Sequence, residues 1–119
     1  MAKVDRWVTD PRTGGYCRIT LDNGEKIVVH HDKGERRPEW LTIERLKFLG
    51  FSSERIFACN LDSQEARTAL RFLSRDAPEG SADATPLGAF VRYVQTCRSA
   101  DEVKARCTAL MALHRVMEK

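Results

Sequence analysis

Alternating apolar and polar positions predict two strands in the first third of the chain. Residues 16–21 and 25–31 are rich in β-branched and aromatic side chains, and Asp22-Asn23-Gly24 between them is typical of a hairpin turn. A two-residue loop would mix charged and apolar side chains on one face. A three-residue loop, with Gly24 in the left-handed region, separates them and is therefore predicted. The core face then comprises Cys17, Ile19, Leu21, Ile27, Val29 and His31, and the outer face comprises Tyr16, Arg18, Thr20, Lys26, Val28 and His30.

Further strands are predicted on both sides of this hairpin. Residues 4–9 predict a first strand, so that the simplest arrangement is a β-meander, and residues 55–61 predict a short buried strand. The segment 39–49 has two interpretations. Pro38 can begin a helix and Gly50 can end one, but apolar side chains would then surround the helix axis. Such a helix must be buried on several sides, or the first residues of the segment are extended instead.

Helical periodicity predicts three helices in the second half. Asp62 with Glu65 resembles a capping box, Thr85-Pro86 begins the second helix, and Ser99 with Glu102 caps the third. The apolar faces are Ala66, Ala69, Leu70 and Leu73, then Leu87, Phe90, Val91, Val94 and Cys97, then Val103, Cys107, Leu110, His114 and Met117. Because strands precede helices, we predict a single α+β domain over residues 1–119. An N-terminal antiparallel meander packs against three or four helices, and residues 76–85 form a surface loop.

One short segment resembles part of a known family. Residues 46–56 read Leu-Lys-Phe-Leu-Gly-Phe-Ser-Ser-Glu-Arg-Ile, which resembles the helix–Leu-Gly-Phe-Ser–helix corner of MerR-type transcription regulators. The resemblance covers eleven of the 119 residues. It implies that residues 55–61 are helical rather than extended, and it implies no functional residue.

Composition and charge narrow the class of protein. The chain is 42% apolar and 31% charged, which is typical of a folded globular domain. A net charge of +3 is too small to indicate a nucleic-acid or membrane-surface protein by itself. No apolar run resembles a secretory signal or a membrane span, so we expect a cytoplasmic protein without a membrane partner. The four cysteines lack zinc or redox spacing, and we expect reduced, mostly buried thiols.

The sequence contains none of the common catalytic motifs. A phosphate-binding loop, a metalloprotease motif and a nucleophile elbow are all absent, and the chain therefore predicts neither a catalytic residue nor a cofactor. A weaker alternative is a small enzyme or metal-binding protein, because Cys17 and His31 share a face and Asp32 follows. A thiol beside an imidazole can ligate zinc or act as a nucleophile and base.

Arginine is the more informative residue type, with fourteen arginines against six lysines. Arg67, Arg71 and Arg75 recur every four residues and form a ridge on one helix side that could follow phosphates. Tyr16 would present a ring for base stacking, and Trp7 would join it if the strand register allows. The predicted nucleic-acid contacts are Tyr16, Arg18, Arg36, Arg37, Arg67, Arg71 and Arg75. Two explanations without a functional role stay open: the ridge is an ordinary solvated helix face, or the high arginine content reflects a GC-rich bacterial genome.

The last helix suggests a second kind of surface. His114 lies within its apolar stripe, so that Met111, His114 and Met117 could dock a partner; alternatively, His114 is a core residue bonded to a backbone carbonyl. The sequence thus predicts a small non-catalytic interaction module that binds a protein or a nucleic acid through a sheet face or the arginine-lined helix. A structural or regulatory subunit of a homo-oligomer is a further alternative.

Overall fold

Five consecutive strands form one antiparallel sheet in which neighbours in sequence are neighbours in space. The computed structural model describes residues 2–34 and 36–117, apart from the side chains of Arg6, Arg37 and Met117. The strands are β1 (Lys3–Asp10), β2 (Gly14–Thr20), β3 (Lys26–Gly34), β4 (Arg37–Lys47) and β5 (Ser52–Asn60). The predicted meander and the α+β class are confirmed.

The β2–β3 hairpin has the predicted register. Cys17 pairs with Val29, and Ile19 pairs with Ile27, so that alternate side chains point into the core. The Leu21 N–H donates to the Glu25 carbonyl at 2.8 Å, which leaves three residues in the loop. Gly24 has φ = +88°, a left-handed conformation that glycine adopts without steric cost. The alternation of side chains between the two faces of the hairpin therefore predicted the correct turn.

The ambiguous segment after the hairpin is a strand throughout. Residues 37–47 form β4, so the helical interpretation of 39–49 is wrong and the extended alternative holds for more than its first residues. Leu41 and Ile43 pair with Cys59 and Phe57 of β5 and are fully buried. The strand predicted over 55–61 is confirmed through Asn60, while the helix implied by the MerR-type resemblance is wrong. The pairing of β4 with β3 and β5 holds its apolar side chains in the core, where a helix would have had to bury them by packing on several sides.

The described part of the chain contains four helices, namely α1 (Gln64–Ser74), α2 (Pro86–Val94), α3 (Ala100–Met111) and α4 (Leu113–Met117). The predicted third helix is thus divided at Ala112, which places His114 on a separate turn. Short 3-10 turns occupy Phe48–Gly50 and Ala82–Ala84. None of the helices in residues 2–34 and 36–117 has the length and apolar character that crossing a membrane requires.

Two of the three predicted helix caps are confirmed. Thr85 accepts the Gly88 N–H at 3.1 Å, and Ser99 accepts the Glu102 N–H at 3.1 Å. The first cap was assigned one residue too early, because Ser63, and not Asp62, accepts the Ala66 N–H at 3.2 Å. The backbone N–H of Asp62 instead donates to the Asn60 side chain at 2.9 Å, in a turn that ends β5.

The helices pack on one side of the sheet and bury its apolar side chains. We call this side the covered face; its fully buried strand residues are Cys17, Ile19, Ile27, Val29, Leu41 and Ile43. From the helices, Phe90 stacks on Phe57 with ring centroids 6.1 Å apart. The opposite side, which we call the open face, carries the alternate residues of β2, β3 and β4. Among the described elements, no helix lies against it.

Candidate functional site

Three aromatic or imidazole rings lie together on the open face because strand pairing aligns them. Tyr16 of β2 pairs with His30 of β3, and their ring centroids are 6.1 Å apart at a tilt of 40°. His30 pairs in turn with Thr42 of β4, two residues along the strand from Trp40, which is 40% exposed. Alternation puts Trp40 and Thr42 on the same side of the strand. We call Tyr16, His30 and Trp40 the aromatic cluster.

Two guanidinium groups lie in the row of cross-strand neighbours next to the Tyr16–His30 pair. Arg18 of β2 and Arg55 of β5 belong to one row of cross-strand neighbours, in which Val28 and Glu44 lie between them. Both arginines are exposed, and neither forms an ion pair with any side chain that the structure describes. Glu44 places a carboxylate at the centre of this row, 3.6 Å from His30 Nε2. Arg18 and Arg55 therefore stand at the two ends of this run of four residues, and β1 pairs with β2 beyond Arg18.

The backbone and short side chains at the centre of the open face are shielded from solvent. Val28 and Thr42 lie on this side of the sheet and yet are only 7% and 8% exposed, because longer neighbours shield them. Two shallow hollows follow the floor. One of about 660 Å³ is bordered by Trp40, Thr42 and Arg55, and the other, of about 410 Å³, includes Tyr16, His30 and Phe51. The two hollows are adjacent, because His30 borders one, Thr42 borders the other, and the two residues are paired across the strands.

The turn between β4 and β5 presents a cluster that the sequence analysis missed. Phe48, Leu49 and Phe51 are 78%, 101% and 90% exposed, and we call them the apolar tip. Phe48 and Leu49 have φ angles of +50° and +59°, and Gly50 has +95°. Left-handed backbone at large apolar residues is uncommon and carries local strain. Because Gly50 was interpreted as the end of a helix, the run Phe-Leu-Gly-Phe was not recognised as a strand turn.

The predicted arginine contacts do not converge. Arg36 is exposed in the turn between β3 and β4, and the side chain of Arg37 lies outside the described residues. Arg67 and Arg71 are exposed on α1, a helix of the covered side, and Arg75 is exposed directly after it, whereas Arg18 lies on the open face. The α1 ridge and the aromatic cluster therefore belong to different sides of the molecule.

Part of the α1 ridge is engaged within the helix itself. The Arg75 guanidinium donates to the Phe72 carbonyl at 2.6 Å, lies 4.2 Å from the centroid of the Phe72 ring and is 3.6 Å from Asp76. Arg71 makes a 3.5 Å contact with the Thr68 hydroxyl. Such local contacts are ordinary for a charged helix surface, which strengthens the solvated-face interpretation of this ridge.

Trp7 does not join Tyr16. Trp7 pairs with Cys17 and so belongs to the covered side, while Val8 is the residue that pairs with Tyr16. The register of β1 shifts between Val4 and Arg6, and this irregularity could not be foreseen from the alternation alone. The condition under which Trp7 would join Tyr16 is therefore not met, and Trp40 lies on the open face instead.

Cys17 and His31 share the covered face, as predicted, but their surroundings do not suit nucleophilic or metal chemistry. Cys17 is fully buried, and burial, together with the charge of Asp5, raises the pKa of its thiol to about 11. The neutral thiol is a poor nucleophile and a poor ligand. His31 Nε2 lies 3.0 Å from Glu39 Oε2. In residues 2–34 and 36–117, no three His, Cys, Asp or Glu side chains are grouped as metal ligands.

The residues proposed for partner docking on the last helix have partners within the fold. His114 Nδ1 lies 3.1 Å from the Met111 carbonyl oxygen, and its Nε2 lies 3.5 Å from Glu65 of α1. Met111 packs partly buried against the core, and the side chain of Met117 lies outside the described residues. These contacts favour the interpretation of His114 as a core histidine bonded to the backbone.

Likeness to other proteins adds no assignment to this geometry. Comparison of the chain with known protein families, curated proteins and solved structures gives no match. The function has to be inferred from the faces of the sheet themselves.

Proposed function

We propose that the protein is a non-catalytic interaction module whose open face binds single-stranded nucleic acid. The observation that carries the proposal is the aromatic cluster, which is at least partly exposed on a sheet face beside the row that holds Arg18 and Arg55. Sheet faces with exposed rings bind single strands because splayed bases stack on them, and every base offers a π-face.

The position of each group fits a role in such a complex. Trp40 and the Tyr16–His30 pair offer stacking surfaces in the two hollows of the open face. Arg18 and Arg55 can donate bidentate hydrogen bonds to phosphate oxygens. Glu44 lies between the arginines and disfavours a phosphate at the centre, so the backbone would contact the margins while bases occupy the floor.

Because only the two arginines contact phosphates in this arrangement, we expect binding to depend modestly on salt concentration. For single strands, the logarithm of the binding constant falls with the logarithm of salt by roughly 0.7 for each neutralised phosphate. Two arginine contacts correspond to a slope of roughly −1.4. A much steeper slope would instead indicate an extended basic surface that includes the α1 ridge.

The test is fluorescence anisotropy of labelled oligo-dT and oligo-rU at several salt concentrations. Replacing Trp40 by Ala is expected to weaken binding roughly tenfold to hundredfold, which is the cost of losing one stacked base. The double variant Arg18→Gln, Arg55→Gln should weaken binding and flatten the salt dependence. The matched control is Arg67→Gln, Arg71→Gln, which removes the same number of charges from α1.

The outcomes separate the surfaces. Loss of binding in the open-face variants, with the α1 control unchanged, supports the proposal. Loss in the α1 control alone would transfer the nucleic-acid site to the ridge. Absence of binding of both oligonucleotides at low salt would end the nucleic-acid proposal.

A second candidate function rests on the apolar tip. Large apolar side chains that are almost fully exposed commonly mark protein contacts. We propose that Phe48, Leu49 and Phe51 contact another protein, and a second copy of the chain is the first partner to test. Light scattering after size exclusion would then show a dimer that Leu49→Asp dissociates. A monomeric wild-type protein at high concentration would contradict self-association through the tip.

A further inference from the structure

Phe51, one of the three residues of the apolar tip, also borders the open face. The hollow of about 410 Å³ that holds the Tyr16–His30 pair includes Phe51 in its lining, although Phe51 belongs to the turn between β4 and β5. Phe48, in the same turn, is not among the described residues that border either hollow of the open face. The two phenylalanines of the tip are therefore placed differently, and Phe51 is the one that adjoins the rings proposed to stack on bases.

The turn that carries Phe51 has a strained backbone. The Phe51 N–H donates to the Phe48 carbonyl at 3.1 Å, and Phe48 and Leu49 within this turn have left-handed φ angles of +50° and +59°. Phe51 itself has an ordinary φ of −72°, and yet its side chain is 90% exposed. An exposed ring gains nothing from burial, and strained backbone concentrates at sites that contact ligands. Packing within the fold therefore does not account for the position of this ring.

Strand geometry gives the length of the surface that ends at Phe51. Trp40 and Lys47 are seven residues apart on β4, which is roughly 24 Å at about 3.4 Å for each residue. Ser52 pairs with Lys47, so Trp40 and Phe51 lie at opposite ends of the β4–β5 pair, and His30 of β3 lies between these ends. At about 3.4 Å for each stacked nucleotide, the surface accommodates roughly seven nucleotides at most, which is within the range of about 4–16 for single-strand sites.

Charge does not decide what binds in the hollow beside Phe51. Arg18 borders this hollow, but so does Glu44, whose carboxylate lies 3.6 Å from His30 Nε2. The cation and the anion offset each other, so the hollow has little net attraction for a phosphate. Its rings and the short apolar side chain of Val28 instead favour an uncharged planar group, and a nucleobase is such a group.

We propose that Phe51 is a further stacking platform, so that the single-stranded ligand extends from Trp40 across the Tyr16–His30 pair to Phe51. This inference rests on the proposed nucleic-acid function, and it specifies the length of strand that the open face binds. Phe51 stacks on a base at the end of the ligand that is remote from Trp40. Phe48, in contrast, makes no contact with the bound strand.

The test measures binding of oligo-dT of about ten nucleotides to the full chain by fluorescence anisotropy at several salt concentrations. Phe51→Ala is expected to weaken binding roughly tenfold and to leave the salt slope unchanged, because stacking neutralises no phosphate. The matched control is Phe48→Ala, which removes the same ring from the same turn and should bind as the parent does. Both side chains are so exposed that neither substitution should unfold the protein.

Two further variants distinguish stacking from a general apolar contact. Phe51→Trp retains an aromatic face and should bind at least as tightly as the parent, whereas Phe51→Leu should weaken binding nearly as much as Phe51→Ala. In the double variant Trp40→Ala, Phe51→Ala, the two fold-changes should multiply, because the rings lie far apart and contact different bases.

Failure of this inference is distinct from failure of the proposed function. If Trp40→Ala weakens binding while Phe51→Ala binds as the parent does, the strand does not reach Phe51, and the inference is overturned although nucleic-acid binding stands. Equal weakening by Phe48→Ala and Phe51→Ala also overturns it, because the apolar tip would then act as a whole. Absence of oligonucleotide binding to the parent at low salt overturns the proposed function and this inference together.

Discussion

The two faces of one sheet carry alternate residues of the same strands, but their side chains differ in burial. On the covered face, Cys17, Ile19 and Val29 are entirely buried beneath the helices. On the open face, their immediate neighbours Tyr16, Arg18 and His30 remain accessible. The covered face supplies the apolar burial that drives folding, at about 25 cal/mol for each Å² removed from water. The open face contributes less burial, and its rings and cations stay at least partly accessible.

Truncation in the core should show the largest contrast between the faces. Phe90 is fully buried and stacks on Phe57, so Phe90→Ala is expected to lower the free energy of unfolding by about 3–5 kcal/mol. Trp40→Ala on the open face should lower it by about 1 kcal/mol or less, because Trp40 is already 40% exposed. Urea denaturation measures both. Equal losses would mean that the open face is part of the stabilising core.

The cysteines provide a chemical measure of the covered side. Burial raises the pKa of Cys17 to about 11 and that of Cys59 and Cys107 to about 12, from an ordinary value of 9.0. At pH 8 the thiolate fraction of Cys17 should then be about a hundredfold lower than in the unfolded chain. Ellman's reagent should react slowly with the native protein and rapidly in denaturant. Fast reaction of Cys17 in the native state would show that the covered face opens readily.

A smaller effect is expected where α1 joins the covered side. Ser63 caps α1, so Ser63→Ala should lower the free energy of unfolding by about 1 kcal/mol. Asp62→Ala should have a smaller effect, because the Asp62 side chain does not cap the helix. Thermal or urea denaturation of the two variants provides the comparison. A larger loss of unfolding free energy for Asp62→Ala than for Ser63→Ala would instead support Asp62 as the cap, as the sequence predicted.

The smallest effect concerns pH at the edge of the sheet. Hydrogen bonds from Lys47 and Arg45 lower the pKa of Glu54 to about 2, from an ordinary value of 4.5. A lowered pKa stabilises the folded state above about pH 4.5, and this contribution is lost as pH falls towards 2. Glu54→Gln should therefore reduce the acid sensitivity of folding slightly. An identical pH profile of the unfolding midpoint in both proteins would show that this cluster contributes nothing.

The sequence was most informative where local rules decide the structure. The β2–β3 register followed from side-chain parity and Gly24, and the caps at Thr85 and Ser99 followed from local side-chain chemistry. Residues 39–49 were ambiguous because their apolar spacing suits a helix or a strand. Only the pairing of β4 with β3 and β5, a long-range interaction, resolves them.

The candidate site was predicted only in part for the same reason. Tyr16 and Arg18 could be placed on the outer face from the hairpin alone. Trp40 and Arg55 depend on β4 and β5 being paired strands, so their position could not be derived from local patterns. The α1 ridge and the open face lie on different sides of the molecule because of how the helices pack. The spacing of residues along the sequence does not show on which side of the sheet a helix packs.

The central claim, that the open face binds nucleic acid, is tested most directly by the two tryptophan indole N–H signals in a ¹H–¹⁵N spectrum. Trp40→Phe assigns them, because it removes one signal and leaves that of Trp7. On titration with oligo-dT at low salt, we expect the Trp40 signal to shift progressively and saturate while the Trp7 signal stays in place. A stationary Trp40 signal throughout the titration would contradict the claim.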